Sequence, residues 1–281
     1  YDDQGNVVVV NDREVSSPGL GYNVITVGNN TLDLYDDNKY LMKESSCYKE
    51  DEHLSNKPDI SGVGTNVKMI YGSETITRVY EIGSGTSFSA PQVAGTVALM
   101  MQANPSLVGK PDTVKAMLLM SADQDAISDI NNPLVDYTFE ANQTKLFIAK
   151  MAREKSGFGL LNINSAINMA INCDTYYRYA FPSTEFYYPQ TSFEYYFESG
   201  TTIEFGMVFE KFTDEILTNK YGTDLILQIL DENNQAVMTS QCDINNVEIF
   251  KCQINQSGKY KFKIAFNKLS FKFSREESLA I

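Results

Sequence analysis

Positive charge is scarce in this chain. Its 23 Lys and Arg face 36 Asp and Glu, a formal net charge of −13. That balance excludes nucleic acid as the partner, because phosphate binding needs clustered Lys and Arg. It also disfavours anionic membrane surfaces and provides a soluble, self-repelling exterior. Long apolar runs are lacking too. No stretch approaches the length of a transmembrane helix. Cysteine is sparse, and Cys47, Cys173, Cys242 and Cys252 show no metal-ligand spacing such as C-x-x-C. They leave two readings open, a cross-strand disulfide between Cys242 and Cys252 or buried free thiols, and the redox compartment is not decided. No leader opens the chain, which starts Tyr1-Asp2-Asp3-Gln4 without Met. The start reads as processed or truncated and carries no information on export. Tryptophan is absent, yet 17 Tyr and 16 Phe supply apolar bulk.

With 281 residues, 43% of them hydrophobic, the chain can build a sizeable core and two domains of ordinary size. It is organised around Gly83-Ser84-Gly85-Thr86-Ser87-Phe88-Ser89-Ala90-Pro91-Gln92-Val93-Ala94-Gly95. A polar, glycine-flanked serine here precedes the apolar run Val93 to Met101, the pattern of a turn feeding a helix. Pro91, read within the first turn, gives up an N–H that has no intrahelical partner. Ser87 then stands at or just before a helix N-terminus, where free N–H groups and the helix dipole favour a developing oxyanion. Taken alone, Gly-Thr-Ser is equally an ordinary helix cap.

The wider string, Gly-Thr-Ser-x-Ser-Ala-Pro-x-Val-Ala-Gly, resembles the nucleophile segment of subtilisin-like serine proteases, the subtilases. Gln92 stands where that family usually has a His that is not a member of the triad. The resemblance implies that Ser87 is the nucleophile of acyl transfer, that Ser84 and Ser89 are structural neighbours, and that Thr86 shapes the turn.

Earlier in the chain, Val7 to Val10 is a short β-branched run, and Asn23-Val24-Ile25-Thr26-Val27-Gly28 reads as a buried strand of a parallel sheet. The latter resembles the family's N-V-I-T-V-G strand. Residues 36 to 57 are polar, and Lys57-Pro58-Asp59-Ile60 resembles the family's K-P-D-I, departing from it at Gly62-Val63-Gly64. After the serine, Gln92 to Ala103 is an apolar helix ended by Asn104-Pro105, and Lys110 to Ser121 is a second helix opened by Pro111-Asp112. Residues 123 to 155 resemble a variable insertion. Gly157-Phe158-Gly159-Leu160-Leu161-Asn162 with Ile163 to Ile171 resembles the closing segment of subtilase catalytic domains.

Composition shifts from Cys173 onward. Alternating runs such as Thr202-Ile203-Glu204-Phe205, Leu225 to Leu230 and Tyr260 to Ile264 are separated by the turn clusters Asp231-Glu232-Asn233-Asn234 and Gln256-Ser257-Gly258-Lys259. Regular short strands argue an antiparallel sandwich. In series they resemble the β-sandwich appended to many bacterial subtilases.

A serine needs an adjacent base and a group to orient it. Subtilases supply these in the order Asp, His, Ser, with the His far upstream. The single histidine here, His53, lies close before Ser87 in a charged stretch without the family's H-G-T context, and reads as a solvated loop residue. No D-T-G-I aspartate strand is present. The oxyanion asparagine is also open: Asn6 ranks first among the residues present but reads equally as a turn asparagine, Asn11 lies too close to the next strand, and the true residue can precede residue 1.

The expected fold is therefore α/β, a mainly parallel sheet with helices on both faces, followed by an antiparallel β-sandwich. Residues 1–172 form the C-terminal part of a subtilisin-like catalytic domain and residues 173–281 the sandwich. The resemblance implies an extracellular or cell-surface serine endopeptidase acting on protein or peptide substrates. The His and Asp would lie upstream, in a longer or processed chain whose other piece is a partner. No cofactor is required for the chemistry; the resemblance leaves room for a structural calcium of the kind that stabilises many subtilases, although no acidic loop here shows defined ligand spacing. Two other readings are a non-catalytic scaffold that keeps the serine loop for folding, and peptide ligation through the same acyl-enzyme.

Overall fold

The computed structural model describes residues 14–34, 36, 39–48, 57–70, 80–128, 138–141, 147–149, 153–172, 178–181, 191–209, 224–241, 246–268 and 277–280. Val27–Leu32 (β1), Tyr40–Met42 (β2) and Ile60–Val63 (β3) form a sheet in the order β2-β1-β3. β1 runs parallel to β3, with Val27 opposite Ile60 and Asn30 opposite Val63, and antiparallel to β2. Residues 158–161 continue beside β3: the Ser61 N–H donates to the Gly159 carbonyl at 3.0 Å and the Leu161 N–H to the Ser61 carbonyl at 2.8 Å. The expected mainly parallel sheet is thus represented, among the described residues, by one parallel strand pair and isolated parallel bridges.

The first strand begins later than its apolar run suggests. Val27, not Asn23, opens the ladder. The reason is competition for backbone groups. The Val24 carbonyl accepts from the ammoniums of Lys57 at 3.0 Å and Lys115 at 3.2 Å, and the Thr26 N–H donates to the Asp59 carboxylate at 2.7 Å.

Val67–Ile70 (β4) and Tyr80–Gly83 (β5) form an antiparallel pair that leads into the helix Thr86–Ala103 (α1). Asn104 ends that helix and accepts the Ser106 N–H through its side chain, which starts a short 3-10 turn, Pro105–Leu107. Pro111–Ser121 (α2) has Pro111 at its first position, where the missing donor is no loss. Thr138–Ala141 (β6) and Phe147–Ala149 (β7) precede the helix Ile163–Asn172 (α3). α1 packs on β1, β3 and α3. Ile60, Val93, Met100, Leu118 and Phe158 are buried in this core, and each side chain of that size contributes about 1.5–3 kcal/mol by leaving water.

The remaining strands are Arg178–Phe181 (β8), Thr191–Phe197 (β9), Thr202–Phe209 (β10), Asp224–Leu230 (β11), Ala236–Gln241 (β12), Val247–Gln253 (β13), Gly258–Lys268 (β14) and Glu277–Ala280 (β15). Together with β6 and β7 they build two five-stranded antiparallel sheets, ordered β7-β13-β10-β15-β8 and β6-β12-β11-β14-β9. Strict alternation along β10 gives it two uses. Met207 and Phe209 join Leu227, Ile229 and Phe262 of the second sheet in one hydrophobic cluster, whereas Val208 joins the cluster around α2. Met120 of α2 lies against Gly206 on that same face. Strands β6 and β7 lie within residues 123 to 155, the segment with the look of an insertion, and each lends an edge strand to one of these sheets. The turn Asp231 to Asn234 is a hairpin whose Asp231 carboxylate accepts the N–H groups of Asn233 and Gln235, both at 2.9 Å. Of the cysteines, Cys47 is a free, exposed thiol. Cys242 lies outside the described residues, so its pairing with Cys252 is not described.

Candidate active site

Gly85 sets the local geometry. Its φ of 148° and ψ of 167° belong to a region open to glycine alone. Its carbonyl accepts the Phe88 N–H at 3.0 Å, and α1 starts at Thr86. Ser87 is therefore the second residue of the helix and is exposed. Its N–H falls among the first donors of a helix, which lack intrahelical acceptors. Pro91 is not in the first turn, as its missing donor suggested, but deeper inside the helix. The N–H it lacks is the one that would meet the Ser87 carbonyl, four residues back. The serine peptide thus sits in a locally loosened ladder at a positive helix end.

The helix start is clamped to the end of β3 through three successive carbonyls. The Ser89 hydroxyl donates to the Gly62 carbonyl at 3.0 Å, the Gln92 amide to the Val63 carbonyl at 2.6 Å, and the Gly85 N–H to the Gly64 carbonyl at 2.8 Å. Ser84 adds a fourth tie, its hydroxyl accepting the Asn66 N–H at 2.9 Å. Gln92 therefore does more than replace a histidine: it also donates to the Phe88 carbonyl at 2.9 Å, bridging helix and strand. Asn29 lies beneath this clamp, fully within the protein. Its Oδ1 accepts the Gly64 N–H at 2.9 Å, with the Ser89 and Thr65 hydroxyls each 3.4 Å away.

Ser87 stands at the carboxyl end of the β1–β3 pair, where ligands of parallel sheets bind. The amino end of the same pair holds a buried ion cluster. Lys57 contacts Asp59 at 2.7 Å and Lys115 contacts it at 3.0 Å, with the two ammoniums also bonded to the carbonyls of Val24 and Tyr22. Burial pushes the Asp59 carboxyl up, but Lys115 and Lys57 outweigh it and hold it below its ordinary value. Burial, reinforced by Lys57, brings Lys115 down to about 8 against the pull of Asp59. The cluster lies at the opposite end of the strand pair from Ser87, and its carbonyl bonds make it a structural knot.

Among the described residues, no side chain hydrogen bonds to Ser87, and no group of three or more His, Cys, Asp and Glu could hold a metal ion. Asn6 and His53 both lie outside the described residues. Asn29 and Gln92 escaped the sequence reading as contributors to the site. The adjacent Asn29-Asn30 pair was the available signal for Asn29, being polar where a buried strand is otherwise apolar.

A sequence model of the subtilase family matches residues 4–159, more than half of the chain. The chain belongs to the subtilase family. A curated relative of this subtilase is the serine protease AprX of Bacillus subtilis (strain 168), 32% identical over 135 residues, or 42% of this chain and 29% of that protein. The match thus spans under a third of that relative's length. The match to the family includes β1, β3, the clamp and Ser87, whereas β8 to β15 lie beyond it. No helix among the described residues of this subtilase is long and apolar enough to cross a membrane.

Proposed function

We propose that this subtilase is a serine endopeptidase that hydrolyses peptide bonds through an acyl-enzyme on Ser87. The observation that carries the reading is the exposed Ser87 at the N-terminus of α1, at the carboxyl end of the parallel strands. Its Oγ attacks a peptide carbonyl while a histidine takes the proton and an aspartate orients that histidine. The Ser87 N–H and an asparagine amide hold the oxyanion, with Asn6 proposed for that role on sequence position alone. The protonated histidine gives its proton to the leaving amine, and water then releases the acyl group by the reverse sequence. Protein groups suffice for every step.

The histidine and aspartate are proposed to come from polypeptide outside these 281 residues. The face of α1 supports this. The helix is apolar nearly all round, the character of a buried helix. Yet Ala90, Pro91, Ala94, Gly95 and Ala98 are exposed, Leu99 is 44% exposed, and a Cβ on Gly95 would touch nothing. A further piece of the same protease is the occupant proposed for that face, carrying the rest of a mainly parallel sheet. The two antiparallel sheets are read as an appended β-sandwich. By family resemblance the enzyme works outside the cell or at its surface.

Ser87→Ala in the full-length protein tests the reading. Cleavage of an unstructured protein substrate is expected to fall by at least about 10³-fold. Unchanged cleavage overturns it and favours a scaffold that keeps the serine turn for folding.

A further inference from the structure

We infer that Asn29 is a positioning residue for Ser87, holding the turn that presents the serine through the contact between Gly64 and Gly85. This rests on acyl transfer at Ser87. Asn29 is 1% exposed, in the middle of β1. A carboxamide buried there is unfavourable unless its polar atoms are used. The backbone of Asn29 is committed on both sides, its N–H donating to the Ser46 hydroxyl at 2.9 Å and its carbonyl accepting the Lys43 N–H at 2.9 Å. The side chain is thus held in place and reaches away from the strand to the Gly64 N–H at 2.9 Å. That donor also fixes the orientation of the carboxamide, since only its oxygen can accept.

From there a relay of hydrogen bonds runs to the reaction centre. Gly64 is held on both sides: its N–H donates to Asn29, and its carbonyl, in the next peptide group, accepts the Gly85 N–H at 2.8 Å. Gly85 in turn accepts the Phe88 N–H at 3.0 Å, closing the turn that contains Thr86 and Ser87. There is no slack in the relay. A Cβ on Gly64 would lie 2.3 Å from the Ser89 hydroxyl, 2.5 Å from the Gly85 carbonyl and 2.7 Å from Asn29 Oδ1. Without the Asn29 acceptor the Val63–Gly64 peptide can rotate, the backbone at Gly64 shifts with it, and the Gly85 N–H bound to the Gly64 carbonyl must follow. The Ser87 Oγ and N–H, two residues on, then lose their aim.

The test uses the full-length protein and a fluorophosphonate probe, with a peptide substrate in parallel. Asn29→Leu keeps the volume and removes the acceptor, whereas Asn29→Asp keeps an acceptor oxygen. For Asn29→Leu, the labelling rate of Ser87 and kcat are expected to fall roughly 10- to 100-fold, the scale of a small misplacement. KM should change little, and Asn29→Asp should recover most of the rate. A merely structural asparagine would lower the melting temperature and leave the rate, measured well below it, untouched. That result overturns the inference. If Asn29→Leu fails to fold, Asn29→Ser, too short to reach Gly64, carries the same comparison. An unsubstituted protein that takes no label overturns the acyl-transfer reading and the inference with it. Normal labelling of both the unsubstituted protein and a folded Asn29→Leu variant overturns the inference alone.

Discussion

The ammonium of Lys115, on α2, lies 3.0 Å from Oδ1 of Asp59, at the entry to β3. The other oxygen of the same carboxylate takes Lys57 at 2.7 Å. One buried anion thus holds two buried cations, and the excess positive charge is spread over the carbonyls of Tyr22 and Val24. The knot fixes the amino end of the strand pair, as the Gly64 clamp fixes its carboxyl end.

Removing the anion should be severe. Asp59→Asn leaves two buried ammoniums facing each other, and unpaired buried charges cost about 3–5 kcal/mol. Chemical denaturation of the two proteins measures the difference. A loss under about 1 kcal/mol, the scale of an exposed pair, would show that the cluster is open to solvent.

The same cluster predicts the sign of two pH effects. Asp59 has a folded pKa below its ordinary value of 3.8. Its contribution is present above the unfolded value and is lost as the pH falls through the lower folded value. Lys115 has a folded pKa of about 8 against an ordinary 10.5. Between these values the unfolded chain binds more protons, so the Lys115 contribution to stability rises with pH. Melting temperatures of the native protein and Lys115→Met, compared from pH 8 to 10, should therefore shift in favour of the native protein. A shift in the opposite direction would contradict the assignment.

Gly64→Ala tests the clamp. The added methyl meets the Gly85 carbonyl and the Ser89 hydroxyl well inside contact distance, and overpacking of this kind typically costs about 1–3 kcal/mol. Both the melting temperature and the labelling of Ser87 should fall. A neutral substitution would mean that Gly64 and α1 are not held together.

Ala94 tests what covers α1. It is exposed on these 281 residues. If the face is free, Ala94→Glu changes the stability of the full-length protein by about 0.5 kcal/mol or less. If a further piece covers it, as proposed, a buried unpaired carboxylate should be destabilising by several kcal/mol. Thermal melts of the full-length pair decide between the two.

Local features of the fold were legible in the sequence. Pro111 announced α2, Asn104-Pro105 the end of α1, and Asp231 to Asn234 a hairpin, because each acts on its own neighbours. The Gly85-Thr86-Ser87 turn was legible for the same reason. Apart from the place of Pro91, what failed depended on partners distant in sequence. The late start of β1 follows from Lys57, Asp59 and Lys115, which meet only after folding. The place of Pro91 inside α1 follows from a helix that starts earlier than its apolar run, which begins at Val93. The role of Asn29 requires the register of β1 on β3, and the pairing of β6 and β7 with the distant β12 and β13 joins segments that share no local signal.

The central claim is that Ser87 is an activated nucleophile. The direct measurement is the intact mass of the full-length protein after fluorophosphonate treatment, with the adduct located by peptide sequencing. The account predicts a single adduct, on Ser87, absent from Ser87→Ala. No adduct on folded full-length protein, or an adduct on another residue, would contradict it.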